Sequence, residues 1–198
     1  MITIGICSSM GVRAMIKTRE DYKNYLCQDM AFYYTSSKKT RFFYWLLRDP
    51  IYFLAKYIRL LRCEEYHSNC VKGNSLYHTL MSWIALARKN RLGNQLGLKI
   101  PRNCIGPGLT VYHHGQIIIN ENARIGANCR LHGGNCIGNN GKTEAAPQIG
   151  DGLDMGFGAC IIGDVILGDR VTVGSNAVVV KSDLQNDITL VGVPARKK

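Results

Sequence analysis

No run of apolar residues in the 198-residue chain reaches the roughly 18 positions a helix needs to cross a bilayer. The opening stretch, MITIGICSSMGVRAM, lacks the basic segment that precedes the apolar part of a signal peptide, so the expectation is a cytoplasmic protein. No C-x-x-C pair occurs among the eight cysteines (Cys7, Cys27, Cys63, Cys70, Cys104, Cys129, Cys136 and Cys160), and the closest spacings are seven residues. A zinc site or a dithiol redox motif is therefore unsupported, and reduced thiols acting as small hydrophobes are expected. No glycine-rich phosphate loop, Ser-His-Asp order or nucleic-acid-binding module is found. Acid is scarce in the front half: residues 1–100 hold 16 Lys/Arg against six Asp/Glu, whereas residues 101–198 hold nine against eight. The net charge of +11 is thus concentrated at the front, which points to phosphates, nucleic acid or a membrane surface as partners. Hydrophobic residues at 46% and charged residues at 20% exclude wholesale disorder.

Two periods divide the chain. Residues 1–96 read as a basic, helical region. Thr18 and Asp21 form a capping box for a helix running to about Tyr34. Ser36-Ser37-Lys38-Lys39 reads as a break, and Asp49-Pro50 opens a second helix with Phe53, Tyr57, Leu60 and Leu61 on one face. A third helix is expected from Ser75 to Arg91, stopping at Gly93. In residues 97–198 the period becomes six. Apolar residues recur at Ile149, Met155, Ile161, Leu167, Val173 and Val179, with Leu153, Ala159, Val165, Val171 and Ala177 two places before the next; only Asp183 breaks this second series. The phase extends back through Ile137, Leu131, Ile125 and Ile119, while Ile105, Val111 and Ile117 are offset by two. Such a run specifies a solenoid of short parallel strands, each burying its first residue in a shared prism. Three hexads per turn stack residues 18 apart, or 20 across the offset. Val111 then lies under Leu131, Tyr112 under His132 and His113 under Gly133.

The hexads, the stretch LTVYHHGQIIINENARIG and the closing GVPAR resemble the hexapeptide-repeat acyltransferases, specifically the serine acetyltransferases and their relatives in polysaccharide gene clusters. The resemblance covers about residues 97–196. It implies a mainly β fold, a left-handed parallel β-helix preceded by the α-helical region, and a homotrimer with sites between subunits. It also implies acetyl-CoA as co-substrate, with no metal, and places the general base at His113, a role that suits an imidazole near neutral pH. His114 is either substrate-facing or neutral, and His132 either binds substrate or donor or caps exposed backbone. Gly133 and Gly134 offer room and backbone N–H donors. Asn139, Asn140, Gly141 and Lys142 interrupt the strands and are expected to line the pantetheine groove. Lys181, Arg196, Lys197 and Lys198 are candidates to meet the donor's phosphates, or are solvated surface, and the resemblance of GVPAR adds Pro194 and Ala195 to the donor site.

Departures from the serine acetyltransferase pattern bear on the acceptor. Tyr112 stands where that group has an aspartate before the histidine, Leu98 where a further aspartate orients the imidazole, and Ala145-Ala146 where an Arg-His pair grips the amino acid. A zwitterionic acceptor needs charged partners, so the first expectation is transfer to an uncharged hydroxyl of a sugar or polysaccharide precursor. Serine acetylation is the alternative and a non-catalytic scaffold a third reading. Glu121 is the nearest acidic candidate to orient His113, or a solvated loop residue. The segment RFFYWLLRDPIYFLAKYIRLLR can lie on a membrane or pack between helices, solenoid end and subunits. The expectation is packing that joins subunits, with Phe42, Phe43, Trp45, Phe53 and Leu60 of three copies covering the open first coil.

Overall fold

A computed structural model describes residues 15–34, 37–70 and 75–198. Cys7 and Ser36 lie outside the described residues. Four helices lead into a prism of short strands. The first, α1 (Arg19–Tyr33), starts at the expected capping box: Thr18 accepts from the Asp21 amide, and the Asp21 carboxylate accepts from the Thr18 amide at 2.9 Å. The expected break at Ser36–Lys39 holds a helix start instead. Ser37 caps α2 (Lys38–Leu46) by accepting from the Thr40 amide, so this serine begins a helix. Asp49 caps α3 (Pro50–Asn69), with proline at its first turn. The last helix, α4 (Leu76–Leu96), runs past Gly93 and ends at Gly97, whose φ of 71° closes it. Gly93 is an interior residue because α4 packs tightly there: a Cβ would come 2.5 Å from the Leu98 carbonyl oxygen and 3.0 Å from the Tyr57 ring.

The prism has three faces. The first stacks β1 (Leu98–Lys99), β3 (Ile117–Ile119), β6 (Cys136–Gly138), β9 (Cys160–Ile162) and β12 (Val178–Val179), all parallel. The second stacks β4 (Arg124–Ile125), β7 (Gln148–Ile149) and β10 (Ile166–Leu167). The third stacks β2 (Thr110–Val111), β5 (Arg130–Leu131), β8 (Asp154–Met155), β11 (Thr172–Val173) and β13 (Thr189–Val191), closed by antiparallel β14 (Arg196–Lys197). Every apolar first hexad residue from Ile105 to Val179 is buried, as are the small or apolar residues of the second series; Thr143, the in-phase position inside the loop, is exposed. The two-residue offset is absorbed within β3, where Ile117 and Ile119 both point inward and Ile118 outward. Coil length then jumps once. Ile137 pairs with Ile161, 24 residues on, because residues 139–146 form a loop instead of a strand. That insertion is one hexad long, so it leaves the sequence phase undisturbed.

The first coil is closed by α3. Leu54, Tyr57, Ile58 and Leu61 share one core with Leu98, Ile100, Ile105 and Leu109. The Tyr57 hydroxyl accepts from the Ile100 amide at 3.1 Å, and burial raises its pKa to about 12. Within one chain Phe42, Phe43 and Trp45 stay outside the core and are about half exposed, because α2 packs outboard against α3. Phe53 and Leu60 pack at the core's margin. Among the described residues no helix is long and apolar enough to cross a membrane.

Candidate active site

His113 stands on the turn that leaves β2 and enters β3. The end of α4 holds that turn. The Leu96 carbonyl accepts from the Gly115 amide at 2.8 Å and the Gly97 carbonyl from the Ile117 amide at 2.9 Å. A Cβ on Gly97 would lie 2.7 Å from the Gln116 nitrogen, so only glycine allows the approach. His113 and His114 are exposed. The expected stacking is present: Val111 pairs with Leu131, the Tyr112 and His132 rings lie 4.6 Å apart, and the His113 Cβ comes within 3.5 Å of where a Gly133 Cβ would stand. Tyr112, His113, His114, His132 and Gly133 therefore share one corner of the prism. The Phe157 ring lies 3.3 Å from that same Gly133 position and packs beside it.

Two expectations at this corner are corrected. The Gly133 amide donates to Asn135 Oδ1 at 2.9 Å and the Gly134 amide to the Gly115 carbonyl at 3.2 Å, so both N–H groups are already engaged in holding the turn. Glu121 lies past the far end of β3 from His113; its carbonyl oxygen accepts from Arg124, and it cannot orient that imidazole. The carboxylate found at this corner is Asp154. Its Oδ1 is 2.9 Å from His132 Nε2 and its Oδ2 is 3.3 Å from Arg130 Nε. Sequence reasoning missed Asp154, and with it the Leu96–Gly97 support of the histidine turn.

Asn139, Asn140, Gly141, Lys142 and Lys181 gather at the far edge of the first face. Asn140 Oδ1 accepts from the Lys142 and Thr143 amides at 2.9 and 3.2 Å, and Asn139 Nδ2 donates to the Thr143 carbonyl, so the asparagines fold the inserted loop on itself. Gly141 and Lys142 are exposed at its tip, and Lys181 is exposed beyond β12 on the same edge. An open groove of about 880 Å³ runs along this face beneath α4, lined by Asn90, Asn94, Lys99, Ile118, Glu121, Cys136 and Asn139. At its inner side Lys89 Nζ meets Glu64 Oε2 at 2.6 Å and donates to the Ile100 carbonyl. The Ala195 amide donates to the Val178 carbonyl at 2.7 Å and Arg196 pairs with Val191 of the third face, so Pro194, Ala195 and Arg196 lie at the last coil of the edge where the third face turns into the first, the edge on which His113 stands.

No family model matches the chain. Over 116 residues it is 37% identical to the chloroplastic serine acetyltransferase 1 of Arabidopsis thaliana, covering 57% of this chain and 37% of that protein. Over 103 residues it is 36% identical to the serine acetyltransferase of Helicobacter pylori J99, covering 50% and 60%. It is 39% identical over 95 residues to WcaB of Escherichia coli K12, named for an acetyltransferase of colanic acid biosynthesis, covering 48% and 58%. The chain spans between 29% and 60% of the length of the curated relatives it matches. Among solved structures it resembles soybean serine acetyltransferase complexed with serine, with a TM-score of 0.69 and 25% identity over 90% of this chain and 70% of that one. Neisseria gonorrhoeae serine acetyltransferase gives 0.67 and 26%, over 91% and 68%. These likenesses support a hexapeptide-repeat acyltransferase relationship. The prism has the left-handed β-helical fold of the serine acetyltransferases it resembles, with the helices placed ahead of it. In this chain the histidine corner and the inserted loop bracket the first face from its two sides.

Proposed function

We propose that the chain is an acetyl-CoA-dependent O-acetyltransferase with His113 as general base. The observation that carries this reading is the placement of an exposed imidazole on a turn fixed by α4, beside a face that carries a groove and an inserted loop. His113 takes the proton of the acceptor hydroxyl, whose oxygen attacks the thioester carbonyl. The tetrahedral intermediate collapses to the acetyl ester, and the thiolate of coenzyme A leaves and takes up the proton. Asn139, Asn140, Gly141, Lys142 and Gly133 line the donor's path, while Lys181, Arg196 and the adjoining Pro194 and Ala195 meet its phosphates. Because His113 and the loop lie at opposite edges of one face, we place the donor between neighbouring prisms of a homotrimer. Residues 1–96 form its helical cap and 97–198 its catalytic prism, in the cytoplasm.

The relatives' names favour L-serine as acceptor over the sugar hydroxyl that the sequence alone put first. A second reading keeps the sugar, because Tyr112 and the half-buried and buried Ala145 and Ala146 supply no charge where a zwitterion would need it. Thiol release from acetyl-CoA with L-serine and with methyl glycosides in competition tests both. Saturation by serine that outcompetes the glycosides favours the first reading and preference for a glycoside the second. Failure of every hydroxyl acceptor to take up acetyl would reject the activity.

A further inference from the structure

Within one chain, α2 presents an apolar face that the fold leaves uncovered. Phe42, Phe43, Trp45, Leu46 and Leu47 fall within six positions at its C-terminal end, and each is at least half exposed, Leu47 to 74%. The Phe42 ring lies 6.0 Å from Phe43 and 5.6 Å from Trp45, so the side chains form one cluster. Single exposed hydrophobes are ordinary, but a contiguous cluster marks a docking surface. The open first coil has no need of it, because Leu54, Tyr57, Ile58 and Leu61, with Tyr33 and Leu92, already share its core.

The charge around the cluster is of one sign. Residues 38–59 hold six Lys/Arg and a single acid, Asp49, whose carboxylate is engaged in accepting from the Ile51 amide at 2.8 Å. Among the described residues Lys39, Arg41, Arg48, Lys56 and Arg59 form no ion pair. Lys39 and Arg41 precede the apolar cluster and Arg48 follows it. Arg41 and Arg59 converge on Tyr34: the Arg41 guanidinium stands 4.6 Å from the ring centre, and Arg59 Nη1 donates to the hydroxyl at 3.3 Å. Both line a cleft of about 330 Å³ beside α2, together with Tyr44 and Tyr52.

We propose that α2 and this cleft dock the chain on an anionic phospholipid surface, the apolar cluster entering the acyl boundary and Lys39, Arg41, Arg48 and Arg59 meeting lipid phosphates. Tryptophan and phenylalanine on one side of a short helix, with cations at its ends, suit the zone between headgroups and acyl chains. Anionic lipid supplies the charge that the protein itself does not. A second copy meeting the same patch would set these cations against their own equivalents with no acid to answer them. The inference concerns where the chain works and holds whichever hydroxyl it acetylates.

The test floats the full chain with vesicles of equal parts phosphatidylglycerol and phosphatidylcholine, and with phosphatidylcholine alone. Phe43→Ser/Trp45→Ser/Leu47→Ser removes the apolar cluster, and Arg41→Gln/Arg48→Gln/Arg59→Gln the charge. Expected are flotation with the anionic vesicles only, weakened by salt, and partitioning reduced by about tenfold or more in each variant at unchanged Tm. A readout free of folding defects is Trp45 emission in Trp83→Phe, which should shift to the blue on anionic vesicles and be quenched by brominated lipid. A wild type that stays unbound would overturn the proposal. So would equal binding to phosphatidylcholine alone, flotation that either variant retains in full, or Trp45 emission that the vesicles leave unmoved. A larger mass in solution that the apolar variant lowers, without flotation of the wild type, would assign the patch to a second copy and overturn it as well.

Discussion

Arg62 has no exposed surface, and its guanidinium ties three parts of the chain together. It donates to Asp29 of α1 at 2.8 Å, to Glu65 on its own helix at 2.9 Å, and to the carbonyls of Ile105 and Gly106 in the first coil. Asp29 in turn accepts from the Gly108 and Leu109 amides at 2.8 Å each. Asp29→Ala would take one of two carboxylates from the buried Arg62 and leave two amides without their acceptor, so unfolding free energy should drop by about 3–5 kcal/mol, read as a lower midpoint in urea. A second residue-scale prediction concerns thiols. Burial pushes the Cys104 thiol from 9.0 up to about 11. At pH 8 it should stay unreacted with Ellman's reagent until the protein unfolds, whereas the exposed Cys27 should react in the native state. Below pH 9 the Cys104 thiol is protonated folded and unfolded, so its contribution is intact. Between about pH 9 and 11 only the unfolded chain ionises, so stability should fall as pH rises through that window.

At the scale of elements, the inserted loop and the tight crossing of α4 give separable predictions. Deleting residues 139–144 removes one hexad and restores an 18-residue coil between Ile137 and the present Ile161. The prism should stay folded with a Tm within a few degrees of the wild type, while the acetyl-CoA KM rises at least tenfold. Collapse of the fold would show the loop to be part of the scaffold instead. Gly93→Ala places a methyl against the Leu98 carbonyl and the Tyr57 ring, and should cost about 1–3 kcal/mol, measured by chemical denaturation. These elements were unequally legible in the sequence. The capping box, the Asp-Pro start and the hexads stand out because each satisfies a local requirement of backbone hydrogen bonding or burial. Ser37 was read as a breaker, since a cap and a break share composition. Gly93 was read as a stop because its reason for being glycine is a contact with Leu98 and Tyr57, which no local pattern records.

For the whole molecule, cap and prism share one core, and that decides what the sequence could place at the site. The stacking of Tyr112 under His132 and of His113 under Gly133 followed from counting residues per coil. Asp154 did not, because the next coil is 24 residues long and its extra hexad is silent in the repeat phase. Counting by 18 or 20 would set other residues above His132. Within one chain the open coil meets Leu54, Tyr57, Ile58 and Leu61 of α3, joined by Tyr33 of α1 and Leu92 of α4. Acetyl transfer by way of His113 is put to the test by comparing wild type and His113→Ala for acetyl ester formed from acetyl-CoA and the preferred acceptor. Both proteins are first shown to share one Tm and one mass in solution. The account predicts a loss of about 10²–10⁴-fold in kcat, and a variant turning over at the wild-type rate would contradict it.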